Sequence, residues 1–443
     1  MLSALPHQTP IALLAAVAAF AALRCDLGRT GRLMMVTGWT VFALTSPSSQ
    51  FPTSLRMLGV ATAMAGVGMH RMAVGQTPAP DREVAWTTRL LLVYVVFVFL
   101  GAVASPYGPV NLIRWVEGTG ILFVAYYAMS IGLISRLLVG TFAANLVNVT
   151  LSARSGPSAD GSGDVSERLA GHMQANHLGF AAAVVVIGAV WGWHRYPRYR
   201  LLLAGAGTIA TYALLGSRSR TALLALVIAG LCVGLSALRH RGQTAALVGV
   251  LTASIVLVPL AAGTVGTWFN RDNSTESITT LTGRTEFWPL AVGLVEKRPV
   301  VGWGVDVVTS PVGKPFQEVT AGAVQAHNAF LEAALMGGIP GCLAWSLALF
   351  GIIAGTLRRP YGDPYRGLVL AAMVLLLTFA FTESNPAWFG DMFIIFALGA
   401  ALYGQAPPDP GLPDGGQVEG HAAEDQIGVP RVRQSMLVDV NES

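Results

Sequence analysis

Residues 200–237, RLLLAGAGTIATYALLGSRSRTALLALVIAGLCVGLSA, decide the fold. Two apolar runs, 200–216 and 220–237, are joined by Ser217-Arg218-Ser219, a turn too short to be anything but a helical hairpin. Each run approaches the length of about 20 residues that crosses a bilayer's hydrocarbon core. Runs of the same kind recur near 8–23, 33–47, 57–75, 88–105, 115–134, 136–152, 178–193, 244–265, 338–356, 366–382 and 387–403. The whole chain of 443 residues is 53% hydrophobic and only 12% charged, against about 25% charged in soluble domains. The expected fold is all-α: a polytopic integral membrane protein with about 12–13 transmembrane helices. Residues 1–403 would form the membrane domain, and 404–443, rich in Pro, Gly, Asp and Glu, a disordered cytoplasmic tail. The first apolar run has no basic segment before it and ends at Arg24, so it reads as a first span rather than a cleavable signal peptide.

Orientation follows from arginine. Alternate connections carry Arg24/Arg29/Arg32, Arg71/Arg82/Arg89, Arg136, Arg195/Arg198/Arg200, Arg239/Arg241 and Arg358/Arg359/Arg366. Basic loops stay in the cytoplasm, so the intervening connections, including the long 266–325 loop, face outward. Arg154, Arg168, Arg218, Arg220, Arg271, Arg284, Lys297, Arg298 and Lys314 then fall on the outward side, against the rule. An anionic ligand on that face is the simplest reason for so many cations there.

The formal charge of +4 does not point to nucleic acid, because the arginines sit at loop ends rather than in a stripe. Three cysteines without CxxC or Cys/His spacing give no disulfide framework and no zinc site. There is no Asp-x-Asp to hold a nucleotide-sugar through a metal, and no Walker or GxGxxG motif.

Four polar segments interrupt this pattern. In Gly216-Ser217-Arg218-Ser219-Arg220-Thr221-Ala222-Leu223, two guanidiniums sit at headgroup depth beside a helix start, a geometry suited to phosphate. Their plain alternative is snorkelling at a helix end. Gly283-Arg284-Thr285-Glu286-Phe287-Trp288 opens a short interfacial helix with an apolar face of Phe287, Trp288, Ala291, Val292 and Val295. Arg284 there opposes the helix dipole and needs a partner, either Glu286 or a bound phosphate. Ala326-His327-Asn328 opens a helix that should run to Gly337-Gly338. His327 in its first turn would be kept neutral by the dipole and by neighbouring arginines, with Glu332 acting in the opposite sense. Neutral imidazole can take a proton. Asn328 either orients that ring, binds sugar hydroxyls or caps the helix. Finally, Arg168-Leu169-Ala170-Gly171 and Asn176-His177-Leu178-Gly179 stand at the outward mouth of a span, structural or lining an acceptor; His172 and His177 do not share a helical face.

The order Gly-Arg-x-x-x-Trp (283–288), Arg-Pro-x-x-Gly-x-Gly (298–304), His-Asn-x-x-Leu-Glu (327–332) and Gly-x-x-Gly (338–341) resembles the O-antigen ligase and polymerase family. So does the Ser-Arg-x-Ala-Leu pattern at 219–223, in which Arg220 takes the family position. The 168–179 segment matches less closely, with Ala175 where the family has Pro. The likeness covers about residues 165–385. It implies a GT-C-like membrane enzyme with a large extracytoplasmic loop in the bacterial inner membrane. That enzyme would be a metal-independent glycosyltransferase without a cofactor, moving an undecaprenyl-diphosphate-linked glycan to lipid A-core or to another glycan acceptor. On that reading His327, Arg220 and Arg284 are catalytic. Arg218, Asn328, Trp288, Arg168 and Asn176 contact substrate, and Trp288 and Trp303 offer stacking surfaces for sugars. The alternative is a transporter or flippase for an anionic lipid-linked glycan. It calls for ionisable residues at mid-bilayer depth, where Glu117 and Asp391, both near span ends, are the main candidates.

Overall fold

The computed structural model describes residues 26–45, 53–74, 86–105, 108–155, 169, 173–238, 284–305, 307–308, 310–314, 325–360, 362–384, 386–387 and 391–403. All of these belong to one compact unit spanning Met1–Ala406. The expected spans 8–23 and 244–265 and the 404–443 tail lie outside the described residues.

The described helices, in chain order, are α1 (Leu27–Leu44), α2 (Thr53–Val74), α3 (Trp86–Ala104), α4 (Gly108–Ser130), α5 (Ile134–Ser155), α6 (Ala175–Arg195), α7 (Arg200–Gly216), α8 (Arg220–Leu238), α9 (Arg284–Lys297), α10 (Ala329–Arg358), α11 (Arg366–Ala380) and α12 (Asp391–Tyr403). Among the described residues, α2, α3, α5, α6 and α10 contain stretches long and apolar enough to span a bilayer, and α8, α11 and α12 carry shorter apolar stretches. The molecule is an all-α polytopic membrane protein.

Small residues bring α1 and α2 together. A methyl group on Gly31 would sit 2.6 Å from the Gly66 carbonyl oxygen, and one on Gly59 would sit 2.7 Å from the Phe42 nitrogen. In lipid this backbone proximity supplies the packing that hydrophobicity cannot. In the Ala204–Gly207 stretch of α7, Ala206 is buried and a methyl on Gly207 would stand 3.7 Å from Ala189 Cβ, while among the described residues none lies within 4 Å of one on Gly205.

The long helix α10 is really two. Gly338 has φ of 69°, a left-handed conformation that glycine adopts without a Cβ clash. The break frees backbone groups that lipid cannot satisfy. The Arg298–Gly304 turn satisfies them: Trp303 N–H donates to the Leu335 carbonyl at 2.7 Å, Gly304 N–H to Met336 at 3.0 Å, and Ile339 N–H to Pro299 at 2.7 Å. Gly302 and Gly304, with φ of 65° and 81°, let that turn lie against the break. The Arg-Pro-x-x-Gly-x-Gly and Gly-x-x-Gly motifs are therefore the two halves of one joint.

Helix α9 packs onto the same region. Leu290, Ala291, Leu294 and Val295 meet Val307, Val308, Ala326, Leu331 and Leu335 in a separate apolar cluster. The buried face is rotated from the expected one, for Val292 is exposed.

Candidate active site

The Ser217–Ser219 turn is tight and internally satisfied. Ser217 Oγ donates to the Leu214 carbonyl at 2.7 Å and accepts from Ser219 N–H, while Ser219 Oγ accepts from Ala222 N–H at the start of α8. The serines thus carry the turn, and the arginines are presented by it. Arg218 has φ of 48°, and Arg220 is the first residue of α8 with its Nε and Nη2 buried. The turn lies on α6: a methyl on Gly179 would stand 2.7 Å from Ser219 Cβ and 2.8 Å from Ala222 Cβ. One turn before Gly179 is Asn176.

His327 does not lie in the first turn of α10, as expected, but just before it. Asn328 is the N-cap, its side chain accepting from Phe330 and Leu331 N–H at 3.0 and 3.1 Å. That cap stops helical geometry at Asn328 and leaves His327 with φ of 54°. The helix-dipole argument for His327 loses its first-turn basis, and Asn328 takes the capping role among those open to it. The backbone on either side of the ring is held by side chains. Ala326 N–H donates to buried Glu332 Oε2 at 2.9 Å, and Asn328 N–H donates to Ser384 Oγ at 3.3 Å. Among the described residues, Arg218 and His327 are the non-glycine residues with positive φ. Such strain persists where the surroundings over-determine it, and it gathers at functional sites.

One residue absent from the sequence reading joins these parts. Glu383, 2% exposed, follows α11. Its Oε1 accepts from Asn176 Nδ2 at 2.8 Å, and its Oε2 lies 3.5 Å from His327 Nδ1. Gln325 Nε2 stands at the same distance from Nδ1. The chain of contacts therefore runs from the Arg218–Arg220 turn through the first turns of α6 to Glu383 and His327. No local motif marked Glu383, because its partners lie 207 and 56 positions away.

The remaining expected residues are placed less closely. Arg284 begins α9, which reaches the site through Ala291, Leu294 and Ala326; its side chain lies outside the described residues, as does Arg168 altogether. Trp288 is half-buried in α9, and its buried Nε1 has no hydrogen-bond partner among the described residues. Trp303 is not an open sugar platform. One face carries the Arg298 guanidinium at 4.1 Å, and its Nε1 donates to the Leu294 carbonyl. Arg298 itself also donates to the Ala104 carbonyl at the end of α3 at 3.0 Å, so a structural contact accounts for this cation. Arg154 and Lys297 occupy last turns of α5 and α9, where the helix dipole favours a cation.

Glu117, considered as a transport carboxylate, is fully buried and bound to Arg56 at 2.9 Å and Arg114 at 3.4 Å. An apolar cavity of about 520 Å³, lined by Phe142, Ile187, Trp191, Tyr199, Met373 and Leu402 among others, contains none of the expected site residues.

Residues 205–346, which include Arg218, Arg220, Arg284, Trp288, His327 and Asn328, match the family model described as O-antigen ligase. Asn176 and Glu383 fall outside that match. The chain is also similar to the exopolysaccharide production protein ExoQ of Rhizobium meliloti (strain 1021), 26% identical over 249 residues, or 51% of this chain and 56% of the relative. The chain thus spans about half the length of the curated relative it matches. No solved structure matches. Through residues 205–346 and the motif order they carry, the chain is similar to the O-antigen ligase family.

Proposed function

We propose that this membrane protein is a glycosyltransferase that moves a glycan from a polyprenyl diphosphate carrier, undecaprenyl diphosphate, to a hydroxyl of a second glycan. The reaction takes place at the extracytoplasmic surface of the bacterial inner membrane. One observation carries the reading: the Arg218–Arg220 turn and His327 converge through Asn176 and Glu383, and the two positive-φ residues belong to that group.

The chemistry assigns each part a task. The acceptor oxygen attacks the anomeric carbon and forms the new C–O bond. The bond from that carbon to the diphosphate breaks, and its electron pair leaves with the lipid diphosphate. Arg220 and Arg284, with Arg218 in support, stabilise the negative charge that develops there. His327 takes the hydroxyl proton. Trp288, whose Nε1 has no partner among the described residues, contacts the sugar, while Arg168 and Asn176 border the acceptor. The family description concerns O-antigen ligation and the relative's name concerns exopolysaccharide production. The acceptor is accordingly lipid A-core in the first case and a growing carrier-linked polysaccharide in the second.

Membranes containing His327→Ala or Arg220→Ala should lose transfer from a carrier-linked donor while the protein accumulates normally. Wild-type transfer by both variants would overturn the scheme. A deletion strain that accumulates carrier-linked polymer identifies the ligase; one that accumulates single repeat units identifies the polymerase.

A further inference from the structure

We infer that Glu383 is the positioning residue of this site: it accepts the Nδ1 proton of His327 and is itself held by Asn176. The inference rests on His327 being the proton acceptor. Three observations carry it.

Glu383 is fixed from its own element. Its backbone N–H donates to the Phe379 carbonyl at 2.7 Å, closing the end of α11. Burial makes its carboxyl costly without partners, and the side chain meets Asn176 Nδ2 at Oε1 and the imidazole at Oε2. The amide nitrogen of Asn176 can only donate, so Oε1 must accept.

The ring is equally constrained. Glu332 and Ser384 hold the N–H groups of Ala326 and Asn328, so the His327 backbone cannot relax from its left-handed conformation without breaking one of them. Glu383 Oε2 and Gln325 Nε2 each lie 3.5 Å from Nδ1. A carboxylate is the stronger partner, so Nδ1 carries the proton and donates. The 3.5 Å separation is long, as is common before substrate tightens a site. With Nδ1 protonated, Nε2 keeps its lone pair and is the atom that receives the acceptor's proton. When it does, Glu383 stabilises the imidazolium formed, and release of that proton to solvent restores the neutral ring.

Asn176 then has a purpose that its sequence neighbourhood does not show. It orders the carboxyl from α6, the helix against which the Arg218–Arg220 turn rests, so one residue sets both the guanidinium side and the imidazole side.

The test uses the full-length protein in membranes or detergent, with a polyprenyl-diphosphate-linked glycan as donor. Glu383→Gln should lower kcat about 100-fold, a magnitude typical of general-base effects, with KM and the unfolding temperature unchanged. Glu383→Asp, which keeps the charge on a shorter arm, should recover about a tenfold share of that loss. Asn176→Ala should cost less than Glu383→Gln, and adding it to Glu383→Gln should cost nothing more, since both act through one bond. Wild-type kcat in Glu383→Gln alongside an inactive His327→Ala overturns this inference and leaves the base intact. Equal activity of Glu383→Asp and Glu383→Gln, or fully additive losses with Asn176→Ala, also overturns it. An active His327→Ala removes the base and this inference together.

Discussion

Arg218 and His327 hold φ at 48° and 54°, where an L side chain crowds its own backbone by about 1–2 kcal/mol. Glycine carries no such penalty. His327→Gly should therefore raise the unfolding temperature relative to His327→Ala while both lose transfer, because only glycine relieves the strain. A differential scan of the two purified variants checks this; a lower temperature for the glycine variant would show that the conformation is unstrained. At this scale the sequence was informative where chemistry is local. Arg220 and His327 announced themselves by their neighbours, and Ser217 and Ser219 fit the turn between two apolar runs. Glu383 could not be read that way. It lies in Thr382-Glu383-Ser384, an ordinary helix end, and acquires meaning only when α6 and α10 meet it.

At the level of the elements, α10 shows both what a sequence displays and what it hides. Gly337-Gly338 followed by Pro340 marks a helix break, and the break is there. The start of the helix was misplaced, because Asn328 caps it and puts His327 outside the first turn. What took up the open carbonyls at the break was not visible, since residues 298–304 and 335–339 are joined by tertiary hydrogen bonds rather than by pattern. Gly338→Ala should be poorly tolerated. Its methyl would run into the Val300 carbonyl, at a φ that alanine resists, for a combined loss of about 2 kcal/mol or more. The expected readout is a lower unfolding temperature and less protein in the membrane, together with weaker transfer, as the joint carries α9 and the approach to His327. Unchanged stability would mean that the break is not fixed by its partner turn.

Among the described residues Glu117, Glu332 and Glu383 are buried inside the bundle, and pairing decides what they do. Glu117 is fully buried between Arg56 and Arg114, which makes it a tie between α2 and α4 rather than a carrier of protons or substrate. Removing one member of a buried pair leaves the other uncompensated, at a cost of about 3–5 kcal/mol. Glu117→Gln should consequently unfold at a markedly lower temperature in detergent, while Glu117→Leu combined with Arg56→Met regains much of the loss. If the single variant is as stable as wild type, the pair contributes nothing to the fold. Composition alone was enough to show an all-α chain in a membrane, because few charges and long apolar runs leave no other fold. Which helices touch depended on glycines such as Gly31 and Gly66, whose role is geometric and carries no hydropathy signal.

The joint at Gly338 also bears on how the chain is made. Residues 298–304 leave the ribosome before residues 335–339, so the segment that receives the loose peptide groups is made before the interrupted helix arrives. Reversing that order would deliver a broken span into lipid with nothing to complete it. Chain order thus supplies the completing segment ahead of the span it completes.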